Sequence, residues 1–112
     1  MFRYTVRVEL ENVAHDDDVY SILHAYMRKA QFFRRIRDDV TGELYRLPHA
    51  EYTYAGPQGI DAVTRLAHAA ASHTNHIIRI LVTHSDGRRW TGLDLWTNTD
   101  EQNDIANEQQ FP

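Results

Sequence analysis

The side chains of this 112-residue chain best suited to chemistry are its arginines, and they cluster. Arg28-Lys29 is followed by Arg34-Arg35-Ile36-Arg37, the densest basic stretch in the sequence. A guanidinium is permanently charged and presents five N–H donors in a planar fork that matches phosphate and carboxylate. Bases at the end of a helix are accounted for by the helix dipole, but arginines running on into the next strand are not. The stretch therefore points to a polyanion such as RNA, with a solvated basic face as the plainer alternative. Arg3, Arg7 and Arg79 add to the same chemistry if their strands lie side by side, which makes Arg3, Arg7, Arg34, Arg35, Arg37 and Arg79 the candidate contacts for nucleic acid or another partner.

Seven histidines raise metal binding, and their spacing argues against it. His68, His73 and His76 do not form an i,i+4 pair sharing a helix face with an acid. The carboxylates of His15-Asp16-Asp17-Asp18 suit a helix start without any cation. No metal site is expected, and no cofactor, since there is no glycine-rich phosphate loop and no nucleophile arrangement. General acid–base work on RNA would need His, Glu or Tyr beside Arg near a bound phosphate. His24, His49, His84 and Glu9 are of the right type, but nothing in their spacing selects among them. Tyr52 and Tyr54 either stack bases on an open sheet or face the helices as core residues.

Those side chains must be held by elements that the sequence marks plainly. Phe2 to Leu10 alternates, with Phe2, Tyr4, Val6, Val8 and Leu10 on one side and Arg3, Thr5, Arg7 and Glu9 on the other, so it predicts a half-buried strand. Asp16 or Asp17 offers an N-cap, and Val19, Ile22, Leu23, Tyr26, Met27 and Ala30 give one apolar stripe on a helix over about 17–30. Phe32 to Arg37 is a second strand, turning near Gly42 and returning through Leu44 to Leu47. Pro48 marks a bend, and strand character resumes over Ala50 to Tyr54. Ile60, Val63, Leu66, Ala67, Ala70 and Ala71 line a second helix ending near His73. Ile77 to Thr83 is a fourth strand, and Ser85-Asp86-Gly87-Arg88 predicts a hairpin into a fifth over Arg89 to Leu95.

This order predicts an α+β, ferredoxin-like two-layer sandwich, β-α-β-β-α-β with an extra C-terminal strand. Residues 1–96 form the single domain, and 97–112 read as an acidic polar tail, disordered for want of anything to bury. The net charge of −4 divides unevenly: all twelve Lys and Arg precede Leu93 with eleven of the acids, a sum of +1, and the remaining five acids follow it. One sheet face is left uncovered by helices, and its residues are the ones to examine for function.

The segments YTVRVELENVAHDDDVYSILHAYM, FFRRI, LYRLPHAEYTYAG and ILVTHSDGRRWTGL together resemble the small bacterial proteins grouped with GhoS, the antitoxin of type V toxin–antitoxin systems. The resemblance covers about residues 2–95. It implies a ferredoxin-like fold, similar to that of certain CRISPR-associated nucleases, and an RNA-binding protein or endoribonuclease acting on messenger RNA. It carries no catalytic residue over to defined positions here; Glu9 and Glu11 correspond by topology alone to a carboxylate that those nucleases place after the first strand.

The competing reading is a non-enzymatic interaction module, a phage- or plasmid-borne inhibitor or an accessory subunit, using the open sheet face or an edge strand. A homodimer is expected in either case. With no cysteine, no signal-like N-terminus and no apolar run of membrane-spanning length, the chain reads as cytoplasmic and not membrane-bound.

Overall fold

The computed structural model describes all residues, 1–112. The chain forms β1 (Phe2–Leu10), α1 (Val19–Lys29), β2 (Arg35–Arg37), β3 (Leu44–Arg46), β4 (Glu51–Gly56), α2 (Ile60–Ala71), a 3₁₀ turn (Ser72–Thr74), β5 (Ile78–His84) and α3 (Asn98–Gln109). β1 is central in a three-stranded antiparallel sheet of order β4-β1-β5, and β2 and β3 form a separate antiparallel pair. The pair joins the sheet through a single bridge, in which the backbone N–H of Phe33 donates to Thr53 at 2.9 Å and that of Thr53 donates back at 2.8 Å.

The alternation of β1 sorts its side chains as period two requires. Tyr4, Val6, Val8 and Leu10 are buried, and they pack with Leu23 and Met27 of α1, Val63, Ala67 and Ala71 of α2, and Phe32 in one core. The register places Val6 between Tyr52 and Val82, so one sheet face is apolar across all three strands. Tyr52 and Tyr54 belong to that core. They are not available to stack bases, because even-numbered β4 residues share the buried face of β1.

Two sequence expectations are corrected. Arg89 to Leu95 is not a strand hairpinned to β5. After β5 the chain crosses to β3 instead: the N–H of Arg46 donates to Asp94 at 2.8 Å, the N–H of Trp96 donates to Leu44 at 2.9 Å, and Tyr45 bridges Leu95. Trp90 meets the Tyr45 ring edge-on, centroids 5.7 Å apart, an aromatic contact that ties the segment to β3.

The acidic segment 97–112 is not disordered. It folds as α3 and lies against α1. A capping box starts it: the N–H of Asp100 donates to Thr97 Oγ1 at 3.1 Å, and the N–H of Thr97 donates back to Asp100 Oδ2 at 2.9 Å. Its carboxylates then meet the arginines that the rest of the chain supplies in excess. Arg28 pairs with Glu101 at 2.5 Å, Arg34 with Asp104 at 3.1 Å and Arg46 with Asp100 at 3.2 Å. α3 is thus fixed by charge and hydrogen bonds where α1 and α2 are fixed by apolar stripes.

Candidate functional site

The six candidate arginines are not brought together. Arg7 and Arg79 lie on the uncovered sheet face, but each has a carboxylate: Arg7 donates to Glu9 at 2.6 Å, and Arg79 to Glu11 at 3.1 Å. The Arg7 contact holds the Glu9 carboxyl below the usual range. Arg34 turns to the helical side and pairs with Asp104. Of the expected convergence of Arg3, Arg7 and Arg79, Arg7 and Arg79 do line one shallow concavity with Glu9, but each is paired with a carboxylate and Arg3 lies apart from them.

Arg3, Arg35 and Arg37 do converge, and Arg88 joins them. They line a cleft of about 510 Å³ where the β2–β3 pair curls away from β4, and Asp39 is the only carboxylate on its wall. Each position follows from the fold. Arg3 is an odd residue of β1 and projects on the open face beside Ala55. Arg35 and Arg37 are alternate residues of β2, so they share a face, and Thr53 of β4 donates its hydroxyl to the Arg35 carbonyl at 2.6 Å. Arg88 comes from the turn after β5.

Phe33 with Ala55 and Pro57 supplies apolar wall, and the Arg35 guanidinium lies over the Phe33 ring, 4.2 Å from its centroid. Arg88 Nε is buried without a hydrogen-bond partner, and so is Arg35 Nη1, whose nearest carboxylate is Glu101 of α3 at 3.9 Å. Burial lowers the pKa of both groups; Glu101 and Asp104 oppose the shift at Arg35, where Arg28 and Arg37 add to it, and Asp39 opposes it at Arg88, where Arg3 adds to it. A buried N–H donor on a cation is costly to leave unpaired and favours an anionic acceptor.

The histidines fall elsewhere. His15 stacks on His49 with centroids 4.1 Å apart, and Tyr20 meets His49 edge-on at 4.4 Å. His24 Nδ1 lies 2.6 Å from Tyr52 Oη. Burial pushes the Tyr52 phenol up, so it stays protonated and donates, and it pushes His24 down to about 3, so the imidazole is neutral and accepts. His84 rests between the rings of Phe2 and Tyr4. Each of these contacts has a packing role, and no group of three His, Asp or Glu side chains is placed to hold a metal ion.

Sequence reasoning missed Arg88 and Asp39. Both lie in turns, where neither period nor motif marks a direction for the side chain. Set against protein-family models, characterised proteins and solved structures, the chain matches none.

Proposed function

We propose that this protein binds RNA through the arginine-lined cleft, as a small antitoxin-like protein on a ferredoxin-like sandwich. The observation that carries the reading is the charge of that cleft: four arginines and one carboxylate line it, and buried Arg88 Nε has no hydrogen-bond partner. The strand order supports the fold half of the proposal. β5-β1-β4, continued to β2 by the Phe33–Thr53 bridge, is the order expected of a ferredoxin-like sheet with its first and third strands central. The resemblance to the GhoS group favours RNA over DNA and a cytoplasmic setting. RNA binding is the activity we assign to the cleft.

Labelled single-stranded RNA titrated with the protein in 50 mM and 200 mM NaCl tests this. Affinity should fall between those salts by about 2.6-fold for each phosphate contacted. Joint replacement Arg35→Gln and Arg37→Gln should weaken binding at low salt and flatten the salt dependence. Absence of any complex at 50 mM NaCl, with or without divalent ions, would sink the proposal.

One observation favours a second reading, a protein-binding module or homodimer. Ile77 is 67% exposed and Leu81 64%, at and beside an edge strand that has only β1 as a partner.

A further inference from the structure

We propose that the cleft takes one phosphodiester of a single-stranded polynucleotide, and that Asp39 is the carboxylate which this phosphate displaces. The inference rests on the RNA-binding reading and names what that site selects. Asp39 accepts from Arg3 Nη1 through both carboxylate oxygens, each at 2.8 Å. The hydrogen bond from Arg3, with the charges of Arg3, Arg88 and Arg89, holds its carboxyl below the usual range, so it is ionised in neutral solution. Asp39 therefore occupies part of the positive field of the cleft, as a phosphate oxygen pair would.

Nothing else requires Asp39 to be there. The turn that carries it is held by its neighbour: Asp38 Oδ1 accepts from the N–H of Val40 at 2.8 Å and of Thr41 at 3.1 Å. Gly42, at φ +76°, supplies the left-handed residue that closes the turn. Asp39 itself is solvated, its side chain 64% exposed, and the adjoining Val40 is almost fully so. A carboxylate on an exposed turn can swing out, whereas Arg35 and Arg88 keep buried donors that stay in the wall.

The dimensions choose the strandedness. A cleft of about 510 Å³ is of small-ligand size and accommodates one nucleotide unit against Phe33 and Pro57. A duplex presents its phosphates on a convex cylinder with the bases stacked inside, so it cannot place a base in the cleft beside a bound phosphate. A single strand can turn one unit inward.

Binding of labelled oligo(U), of an RNA duplex of equal length, and of both to Asp39→Asn decides the matter. Asp39→Asn should tighten oligo(U) binding about fivefold to tenfold, since the phosphate then has no carboxylate to displace. Asp39→Ser should act alike, and both should keep the wild-type melting temperature. The duplex should bind at least about tenfold more weakly than the single strand. Inorganic phosphate should displace oligo(U) more effectively than chloride at equal ionic strength. Unchanged or weaker binding by both variants overturns the displacement, since Asp39 would then be positioning Arg3. Equal affinity for duplex, or phosphate no better than chloride, overturns the single-strand phosphate site while RNA binding itself stands. If wild-type protein holds no polynucleotide, this inference and the proposed function fall together.

Discussion

Arg34 and Asp104 meet at 3.1 Å across 70 residues of sequence, and Asp104 is the only buried residue of α3. Burial raises the Asp104 carboxyl despite the neighbouring Arg34 and Arg28, so desolvation outweighs the attraction at this site. The contact fixes the position of α3 more than it stabilises the fold. Replacing Asp104 by Asn should cost about 1–3 kcal/mol, because Arg34 loses its charged partner in a partly desolvated setting. Urea denaturation of both proteins measures it; a change under about 0.5 kcal/mol would show that α3 does not depend on the pair.

Salt should loosen α3 before it touches the sheet. The helix is held by Arg28, Arg34 and Arg46 through partly exposed ion pairs, each worth about 0–1 kcal/mol and weakened by screening. Hydrogen exchange of residues 98–109 should quicken between 50 mM and 1 M NaCl, while amides of β1 keep their protection. Uniform protection across that range would contradict an ion-held helix.

The start of α3 offers a smaller perturbation. Thr97→Ala removes the side-chain half of the capping box and should cost about 1 kcal/mol, read as faster exchange in the first turn of α3. Thr97→Ser, which keeps the hydroxyl, should restore it.

These contacts also explain what the sequence revealed and what it hid. The face assignment of β1 was legible because period two leaves no choice once Val6 and Val8 are inside. The helices were legible through Leu23, Met27, Val63 and Ala67, whose stripes need no knowledge of a partner. α3 was hidden because its stabilising partners, Arg28, Arg34 and Arg46, are 50 or more residues away and its own sequence has almost no apolar stripe. Two signals were present: the separation of charge into +1 and −5, and the Thr97-Asn-Thr-Asp100 box. The cleft was half legible. Arg3, Arg35 and Arg37 stood out as bases on strands, but their convergence with Arg88 depends on a long turn crossing to β3, and no local pattern encodes that.

Acid should destabilise the protein through His24. Its folded pKa of about 3 lies below the unfolded value near 6.5, so the unfolded chain binds the extra proton between them. The stability is fully present above pH 6.5 and is lost as pH falls toward 3, by up to about 1.4 kcal/mol per pH unit. His24→Gln retains an acceptor for Tyr52 and cannot titrate, so its stability should change less over that range. An identical pH profile for the two proteins would contradict a buried neutral imidazole.

The open face can be separated from the core by two substitutions. Leu23→Ala, at a fully buried site, should cost about 2–5 kcal/mol. Leu81→Ser should stay within about 0.5 kcal/mol in the monomer. Light scattering over a range of concentrations then tests the homodimer: a wild-type dimer that Leu81→Ser dissociates supports the exposed face as its interface, and identical masses argue against it.

The central place of β1 has a consequence in time. The first strand made must pair with the last, since Tyr4 lies opposite His84 and Leu10 opposite Ile78. During synthesis, which runs from the N-terminus, β1 emerges with Tyr4, Val6, Val8 and Leu10 uncovered, and its β5 partner is complete only when three-quarters of the chain, 84 of 112 residues, has been made. Such long-range pairing slows folding. The nascent chain is therefore most prone to aggregate before β5 appears, and a pause in translation ahead of Ile78 would prolong that interval more than a pause anywhere after it.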